Sequence, residues 1–388
     1  MKIPLMKSTF LGEQETKDAL CAFIQTSEKL SMGTEVAKFE DLFSAWQGRK
    51  HTIMVNSGSS ANLVVLQSLL NLGRLKLGDR VGVSAVTWAT NVMPVIQLGL
   101  VPVLIDVNPK TLNVSCADVM KHDIRCLFIT HLLGFCGDID TIASHCKEKD
   151  IILLEDTCES LGTLHNGVRL GNFGLVATFS TFVGHHMSTI EGGLVSTDDA
   201  ELSKMIHMVR AHGWDRNVTP AERDELRSTW KISDFYGPYT FYTLGYNVRP
   251  MDLQGLIGTI QLKYIDESNE RRRASFRAIR ACAGKDVYIP DQDVPAFAIP
   301  IVCSSQSDRD AYVQRCRSLG IETRPIVAGN MNRQPFFQPY SSSTELPVAD
   351  HIHERGFYIP NHPDLTIDEI SYLSSIFTNV LLEDQSPA

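Results

Sequence analysis

Three short segments carry residues that could do chemistry together. In NSGSSAN (56–62), small residues stand between an apolar run and the helical pattern ANLVVLQSLL. A strand-to-helix turn of that kind lets backbone N–H groups face an anion, and the helix N-terminus adds positive potential, so Gly58 and Ser59 form a candidate phosphate cradle. An ordinary N-cap with a tight turn would leave the same trace. Trp88 in VTWAT and Asp156 in ILLEDTCES each follow an apolar run. An aromatic face at a strand end can stack on a flat heterocycle, and a carboxylate there can keep a pyridine nitrogen protonated, strengthening an electron sink. A core tryptophan and a helix-capping acid are the plainer readings of these two. The third segment, TFSTFVGHHMSTIEGGLVSTDD (178–199), places His185 beside His186. An imidazole with an ordinary pKa of about 6.5 is a competent base near neutrality. Neighbouring side chains on a strand or turn point apart, so one of the pair can face a site while the other packs as a structural histidine.

The elements that must position these groups are legible as short apolar and β-branched runs: TIMVNS, VGVSAV, PVLIDV, CLFITH, IILLED, ATFST and GGLVST. They read as buried strands of a mostly parallel seven-stranded sheet. Between them lie helical patterns such as ANLVVLQSLLNL and DIDTIASHCKEK, the latter opening acidic and closing basic as the helix dipole favours. Alternation of strand and helix predicts an α/β domain with functional groups at strand ends and in the loops that follow. After about residue 265 the pattern changes to a charged helix (ESNERRRASFRAIRA), a strand-like AFAIPIVCS, a helix near Asp308–Leu319 and a terminal helix from Ile367. The division expected is a large α/β domain over 1–264 and a smaller α+β domain over 265–388. A surface loop is expected around Tyr340–Pro347 and fraying at the C-terminal end.

Bulk properties narrow the partners. A formal net charge of −9 disfavours a nucleic acid or an anionic membrane surface. No apolar run approaches the roughly 20 residues that span a bilayer, and the opening MKIPLMKSTF lacks the apolar core of a signal peptide, so a cytoplasmic location is expected. The nine cysteines are an odd number without a C-x-x-C pair, which favours reduced thiols over disulfides or a metal site. Cys116, Cys126, Cys136 and Cys146 recur every ten residues. Because they fall on different kinds of element, their side chains are expected to point in unrelated directions.

Taken in order, these motifs resemble the DegT/DnrJ/EryC1/StrS sugar aminotransferases, a fold type I pyridoxal-phosphate family. The family's S-F-x-x-x-K stretch is followed by G-E-G-G, with its Schiff-base lysine six residues before the glutamate; six before Glu191 here is His185. MGTEVAKFE (32–40), HLLG (131–134), GYNVRP (245–250) and RPIVAGN (324–330) extend the similarity over nearly the whole chain. HHMSTIEGG, LLEDTCES, RAHGWDR and RPIVAGN together look most like a sugar 3-dehydratase branch that also carries histidine in place of the lysine.

The resemblance implies a site and a reaction. Gly58, Ser59 and Ser180 would hold the phosphate of pyridoxal or pyridoxamine 5′-phosphate, Trp88 would cover its ring, Asp156 would meet its nitrogen, and Glu159 would sit beside its ring oxygen. Asn247 would reach the phosphate from a second subunit of a homodimer, and Arg216 and Arg249 are the candidates for sugar or amino-donor carboxylate contacts. Histidine offers no primary amine to tether the cofactor but can still shuttle a proton. With His185 as catalytic residue, pyridoxamine phosphate would condense with the C4 ketone of a nucleotide-linked 4-keto-6-deoxyhexose, GDP-4-keto-6-deoxymannose foremost, and the C3 hydroxyl would leave. The product would be a 4-keto-3,6-dideoxy sugar of the kind used in colitose and O-antigen synthesis, and L-glutamate would regenerate the amine. Three alternatives differ in kind. An iron-sulfur-dependent 3-dehydrase needs closely spaced thiolates, yet no cysteine stands between Cys158 and Cys282. A nucleotide-sugar aminotransferase would need another lysine, and a non-catalytic ligand-binding relative would have little reason to retain Asp156, Trp88, Ser180 and Asn247.

Overall fold

Seven short apolar runs become one sheet, the inner strands covered on both faces and the edge strand at 101–105 left partly open. The computed structural model describes residues 1–341 and 344–377. Its strands in chain order are β1 (His51–Val55), β2 (Arg80–Ser84), β3 (Val101–Ile105), β4 (Cys126–Thr130), β5 (Ile152–Asp156), β6 (Leu164–His165), β7 (Val168–Arg169), β8 (Val176–Ser180), β9 (Gly193–Thr197), β10 (Val287–Tyr288), β11 (Ile299–Cys303) and β12 (Gly356–Ile359). The large sheet has the order β1-β9-β8-β5-β4-β2-β3, and β6 pairs with β7 in a small hairpin. Only β9 runs against its neighbours β1 and β8; the other pairings in that sheet are parallel. The fold is that of a type I aminotransferase, with the mostly parallel seven-stranded sheet the motif spacing predicts.

Register brings the candidate residues to one edge. Thr130 pairs with Asp156, Asp156 with Thr178, Ser180 with Gly193, and Gly193 with Val55. The loops after β1, β4, β5 and β8 therefore leave the sheet side by side, as expected at the carboxyl ends of parallel strands.

The second sheet, β10-β11-β12, is antiparallel. Its inner residues Ile299, Ile301 and Phe357 share one apolar cluster with Ile53, Leu154 and Phe276, so the two sheets are packed through a continuous core. The helix Ile265–Arg280 contributes to that cluster. It opens with Asp266 and Glu267 and closes with Arg277 and Arg280, matching the helix dipole. Despite its charge, it buries Ile265, Ser268, Asn269, Arg272, Ser275, Phe276 and Ile279 along one face.

The helices expected near Asp308 and from Ile367 run over Gln306–Ser318 and Ile367–Ser374. Of the expected surface loop, Tyr340, Ser341, Thr344 and Glu345 are exposed, while 342–343 and the C-terminal stretch expected to fray lie outside the described residues. All nine cysteines are free thiols. Cys116, Cys126, Cys136 and Cys146, ten residues apart, stand in turn on a short helix, on β4, in a loop and on helix Ile139–Glu148, and all four are buried. No helix among the described residues is long and apolar enough to cross a membrane.

Candidate active site

The cradle begins where β1 ends. Ser57 caps the helix Gly58–Asn71, its hydroxyl accepting the Ser60 N–H at 3.1 Å. The first N–H groups of a helix have no partner within it, which leaves those of Gly58 and Ser59 to an incoming anion. Glycine is required at 58 by contact: a Cβ there would lie 2.7 Å from Ser180 Cβ and 3.2 Å from Cys158 Sγ. Gly193 is equally constrained, since its Cβ would meet the Ser57 carbonyl carbon at 2.3 Å. The helix start is thus pressed against the ends of β8 and β9, with Ser180 nearly buried beside it and Ser59 exposed. This close packing of small residues around a helix N-terminus fits a phosphate group.

Asp156, only 4% exposed, closes β5. One carboxylate oxygen accepts the side-chain amides of Asn62 at 3.1 Å and Asn91 at 2.7 Å, and the other accepts the Cys158 N–H at 2.9 Å. Asn62 belongs to the cradle helix and Asn91 to the short turn Ala89–Asn91 that Trp88 caps. Three elements therefore fix one carboxylate, and the same turn holds Trp88 with 56% of its surface open. A large aromatic ring left in the open beside a buried, oriented carboxylate fits a flat heterocycle bearing a basic nitrogen. The amide oxygens of Asn62 and Asn91 are buried without a hydrogen-bond partner among the described residues.

Glu159 follows three residues later. Its carboxyl accepts the Leu133 N–H at 2.7 Å, and Leu133 holds the left-handed backbone angle φ 54° to present that group. Burial, reinforced by the nearby Asp156 charge, pushes the Glu159 pKa up to about 8. Glu159 is therefore mostly a neutral acid near pH 7, able to donate a hydrogen bond. Beneath it, Glu155 accepts the N–H groups of Gly171, Phe173 and Gly174 and binds His131 at 2.9 Å, fixing the floor between β4 and β5.

The two histidines occupy the loop between β8 and β9, which is closed by Thr181 N–H to Gly192 O and Val183 N–H to Ile190 O. They diverge as neighbours should. His186 is buried and donates from Nε2 to Pro295 O at 2.7 Å. His185 is half-buried, and its Nδ1 lies 2.9 Å from Cys158 O. A carbonyl only accepts, so Nδ1 carries the proton and Nε2 keeps its lone pair. Burial pushes the His185 pKa down to about 4, outweighing the Cys158 carbonyl and Asp156. The ring is thus a neutral base with one free nitrogen. No lysine stands between Lys149 and Lys204, and Lys204 pairs with Glu225.

The remaining candidates form a second group. Arg216 lies over the Trp214 ring at 4.0 Å and the Tyr239 ring at 5.1 Å while donating to Pro238 O. Arg249 approaches Trp214 at 5.4 Å and donates to the side chain of Asn247 at 2.9 Å. This group touches the first through the bond from Asn56 N–H to Val248 O at 2.9 Å. Gly58, Ser180, Asp156, Glu159 and His185 gather around the ends of β5 and β8, whereas Arg216, Asn247 and Arg249 gather around Trp214.

Sequence reasoning passed over Asn62, Asn91 and Arg272. The signal for Asn62 was its place in the first turn of the cradle helix, four residues after Gly58. Arg272 shares a helical face with Ile265, Phe276 and Ile279, a periodicity visible in the sequence.

The signature of the DegT/DnrJ/EryC1/StrS aminotransferase family matches residues 12–378. The chain is 35% identical over 391 aligned positions to GDP-4-keto-6-deoxy-D-mannose 3-dehydratase of Yersinia pseudotuberculosis, covering 97% of this chain and 98% of that one. It superposes with a TM-score of 0.89 and 31% identity on E. coli GDP-4-keto-6-deoxy-D-mannose 3-dehydratase with bound hydrated PLP, over 97% and 99% of the two chains. A GDP-4-keto-6-deoxymannose 3-dehydratase holding a trapped PLP–glutamate geminal diamine matches with the same TM-score and identity, over 97% and 100%. The chain belongs to the DegT/DnrJ/EryC1/StrS aminotransferase family.

Proposed function

We propose that the protein is a 3-dehydratase of a nucleotide-linked 4-keto-6-deoxyhexose, GDP-4-keto-6-deoxymannose foremost, working with pyridoxamine and pyridoxal 5′-phosphate. The observation that carries this reading is the neutral His185 imidazole with Nε2 free, in a loop without lysine. Similarity to dehydratases of that substrate over nearly full length supports it.

In this reading Gly58, Ser59 and Ser180 hold the cofactor phosphate, Trp88 stacks on the ring, Asp156 meets the ring nitrogen, and Glu159 donates to the ring oxygen. Bound there, the cofactor supplies an amine to join the sugar's C4 and a ring that accepts electrons as the C3 bond breaks. His185 Nε2 takes the proton released beside the ring and returns it to the departing C3 hydroxyl. Its Nδ1 bond to Cys158 O fixes the tautomer throughout. Asn62 and Asn91 orient Asp156. Arg216 and Arg249 contact the sugar nucleotide or the carboxylate of L-glutamate, the amino donor. The net reaction balances as ketosugar plus glutamate giving the 3-deoxy ketosugar, 2-oxoglutarate and ammonia.

The working unit is a homodimer in which Asn247 of the partner subunit reaches the phosphate. Exposed Phe235, Tyr239, Phe241 and Leu244 would give that interface apolar area. Residues 1–264 form the cofactor-binding domain and those from 265 onward the small domain, 378–388 of the expected 265–388 lying outside the described residues, and the enzyme acts in the cytoplasm. The test is incubation with GDP-4-keto-6-deoxymannose, pyridoxamine phosphate and glutamate. Mass spectrometry should show loss of one oxygen from the sugar with ammonia released, and His185→Asn should abolish both. An amino sugar product, with the cofactor trapped on a lysine by borohydride, would sink the proposal.

A further inference from the structure

His185 is held from behind by a residue outside the cofactor site. Arg272 is 3% exposed, and the charge of Asp364 acts on it across the space between them without a direct ion pair among the described residues. Its guanidinium instead donates to three backbone carbonyls from separate segments: Phe297 O at 3.0 Å, Asn361 O, and His185 O at 3.3 Å. Asn361 returns the grip, its amide donating to Arg272 O at 3.2 Å and to Ala296 O at 2.6 Å. His186 adds its own bond to Pro295 O. The loop that presents His185 is therefore tied to segment 295–297 and to Asn361, which stands two residues beyond β12.

We propose that Arg272 is the positioning residue of His185, its planar fork setting the height of the histidine loop against the second sheet. The assignment rests on His185 being the base of the proposed reaction. A buried guanidinium without a carboxylate partner is costly to keep, and a fork with five fixed donors can span carbonyls that an ammonium cannot. A cavity of about 30 Å³ beside the loop is lined by Val183, His185, His186, Ser188, Arg272 and His362, so the loop is not packed solid on that side. Loss of the Arg272 bonds frees the His185 carbonyl from its tie and loosens the hold of Nδ1 on Cys158 O.

The groups that act electrostatically on the His185 ring are Asp156 at the end of β5, Arg272 from helix Ile265–Arg280, and the Cys158 carbonyl. The Phe182 and Phe297 rings pack beside it. Asp156 and the carbonyl favour the protonated ring, whereas burial and Arg272 favour the neutral one. A loosened loop exposes the ring to water and weakens the last two together.

The experiment compares Arg272→Lys and Arg272→Met with wild type as apoprotein carrying ¹⁵N-labelled imidazoles, His185 being assigned by its absence in His185→Asn. Wild type should show one tautomer protonated at Nδ1 and a titration midpoint below the ordinary 6.5. Both variants should show exchange between tautomers and a midpoint moved upward. With substrate, kcat should fall by on the order of 10²-fold, as for a misplacement of about 1 Å, with cofactor affinity unchanged. An unaltered tautomer and midpoint in either folded variant would overturn the assignment. So would failure of both to fold, which would make Arg272 a residue of the fold alone. Because the tautomer is read without sugar or cofactor, its outcome is separate from whether the protein dehydrates anything.

Discussion

Gly58→Ala tests the cradle with one methyl group. The added Cβ would stand 2.7 Å from Ser180 Cβ and 3.2 Å from both Ser180 Cα and Cys158 Sγ. Favourable carbon–carbon contact lies near 3.5–4.0 Å, so the parts must separate by ~0.8 Å or more. Ser180 cannot yield cheaply, because it is paired with Gly193 in the sheet. The start of the helix must move instead, and with it the Gly58 and Ser59 amides. Overpacking of this kind costs about 1–3 kcal/mol. If a similar loss reaches the phosphate contacts, the dissociation constant of pyridoxal phosphate rises about ten-fold or more, at roughly 1.4 kcal/mol per decade. The assays are thermal denaturation of the apoprotein and titration of cofactor absorbance. Ser180→Gly in the same chain removes the nearest colliding atom and should recover part of the stability, while affinity stays low because the hydroxyl is gone. Wild-type affinity in Gly58→Ala would refute the reasoning, since the cradle would then lie elsewhere.

Asp156→Ala should strand the Asn91 and Cys158 donors, each buried group left unpaired costing about 1–3 kcal/mol, while Asn62 keeps its bond to Thr90 O; calorimetry of the apoprotein should record a lower melting temperature. Trp88→Ala should change apoprotein stability by less than about 0.5 kcal/mol, because the ring is largely exposed, yet weaken cofactor binding by about 0.5–1.5 kcal/mol in the same titration. His185, depressed from 6.5 to about 4, takes up its proton more readily when unfolded. Its contribution to apoprotein stability should be complete above pH 6.5 and disappear as pH falls to about 4, a slope absent in His185→Asn. Glu159 has the opposite sign. Raised from 4.5 to about 8, it holds its proton better when folded, so stability should fall as pH rises across that window, and Glu159→Gln should flatten the curve.

The sheet was readable because every strand is an apolar run bounded by polar turns, whereas small residues at a strand-to-helix junction mark a helix start, and only the resemblance reads them as a phosphate cradle. Asp156 and Trp88 could be placed at strand ends from sequence, but the Asn62 and Asn91 amides that orient Asp156 could not, since they arrive from other elements. Counting six residues back from Glu191 singles out His185, and the carbonyls of Cys158 and Pro295, one on either side of the loop, show how the two rings diverge. Arg272 was hidden by composition. In ESNERRRASFRAIRA it looks like one more solvated charge, and only its register with Ile265, Phe276 and Ile279 turns it inward.

The reversed direction of β9 bears on how such an enzyme can change trade. Because β9 runs against β8, the chain between them makes a short return on one edge of the sheet, with both feet pinned and its tip outside the ladder. A side chain exchanged at that tip alters the group offered beyond the strand ends without asking any strand to shift, so chemistry and architecture are separable at this one return.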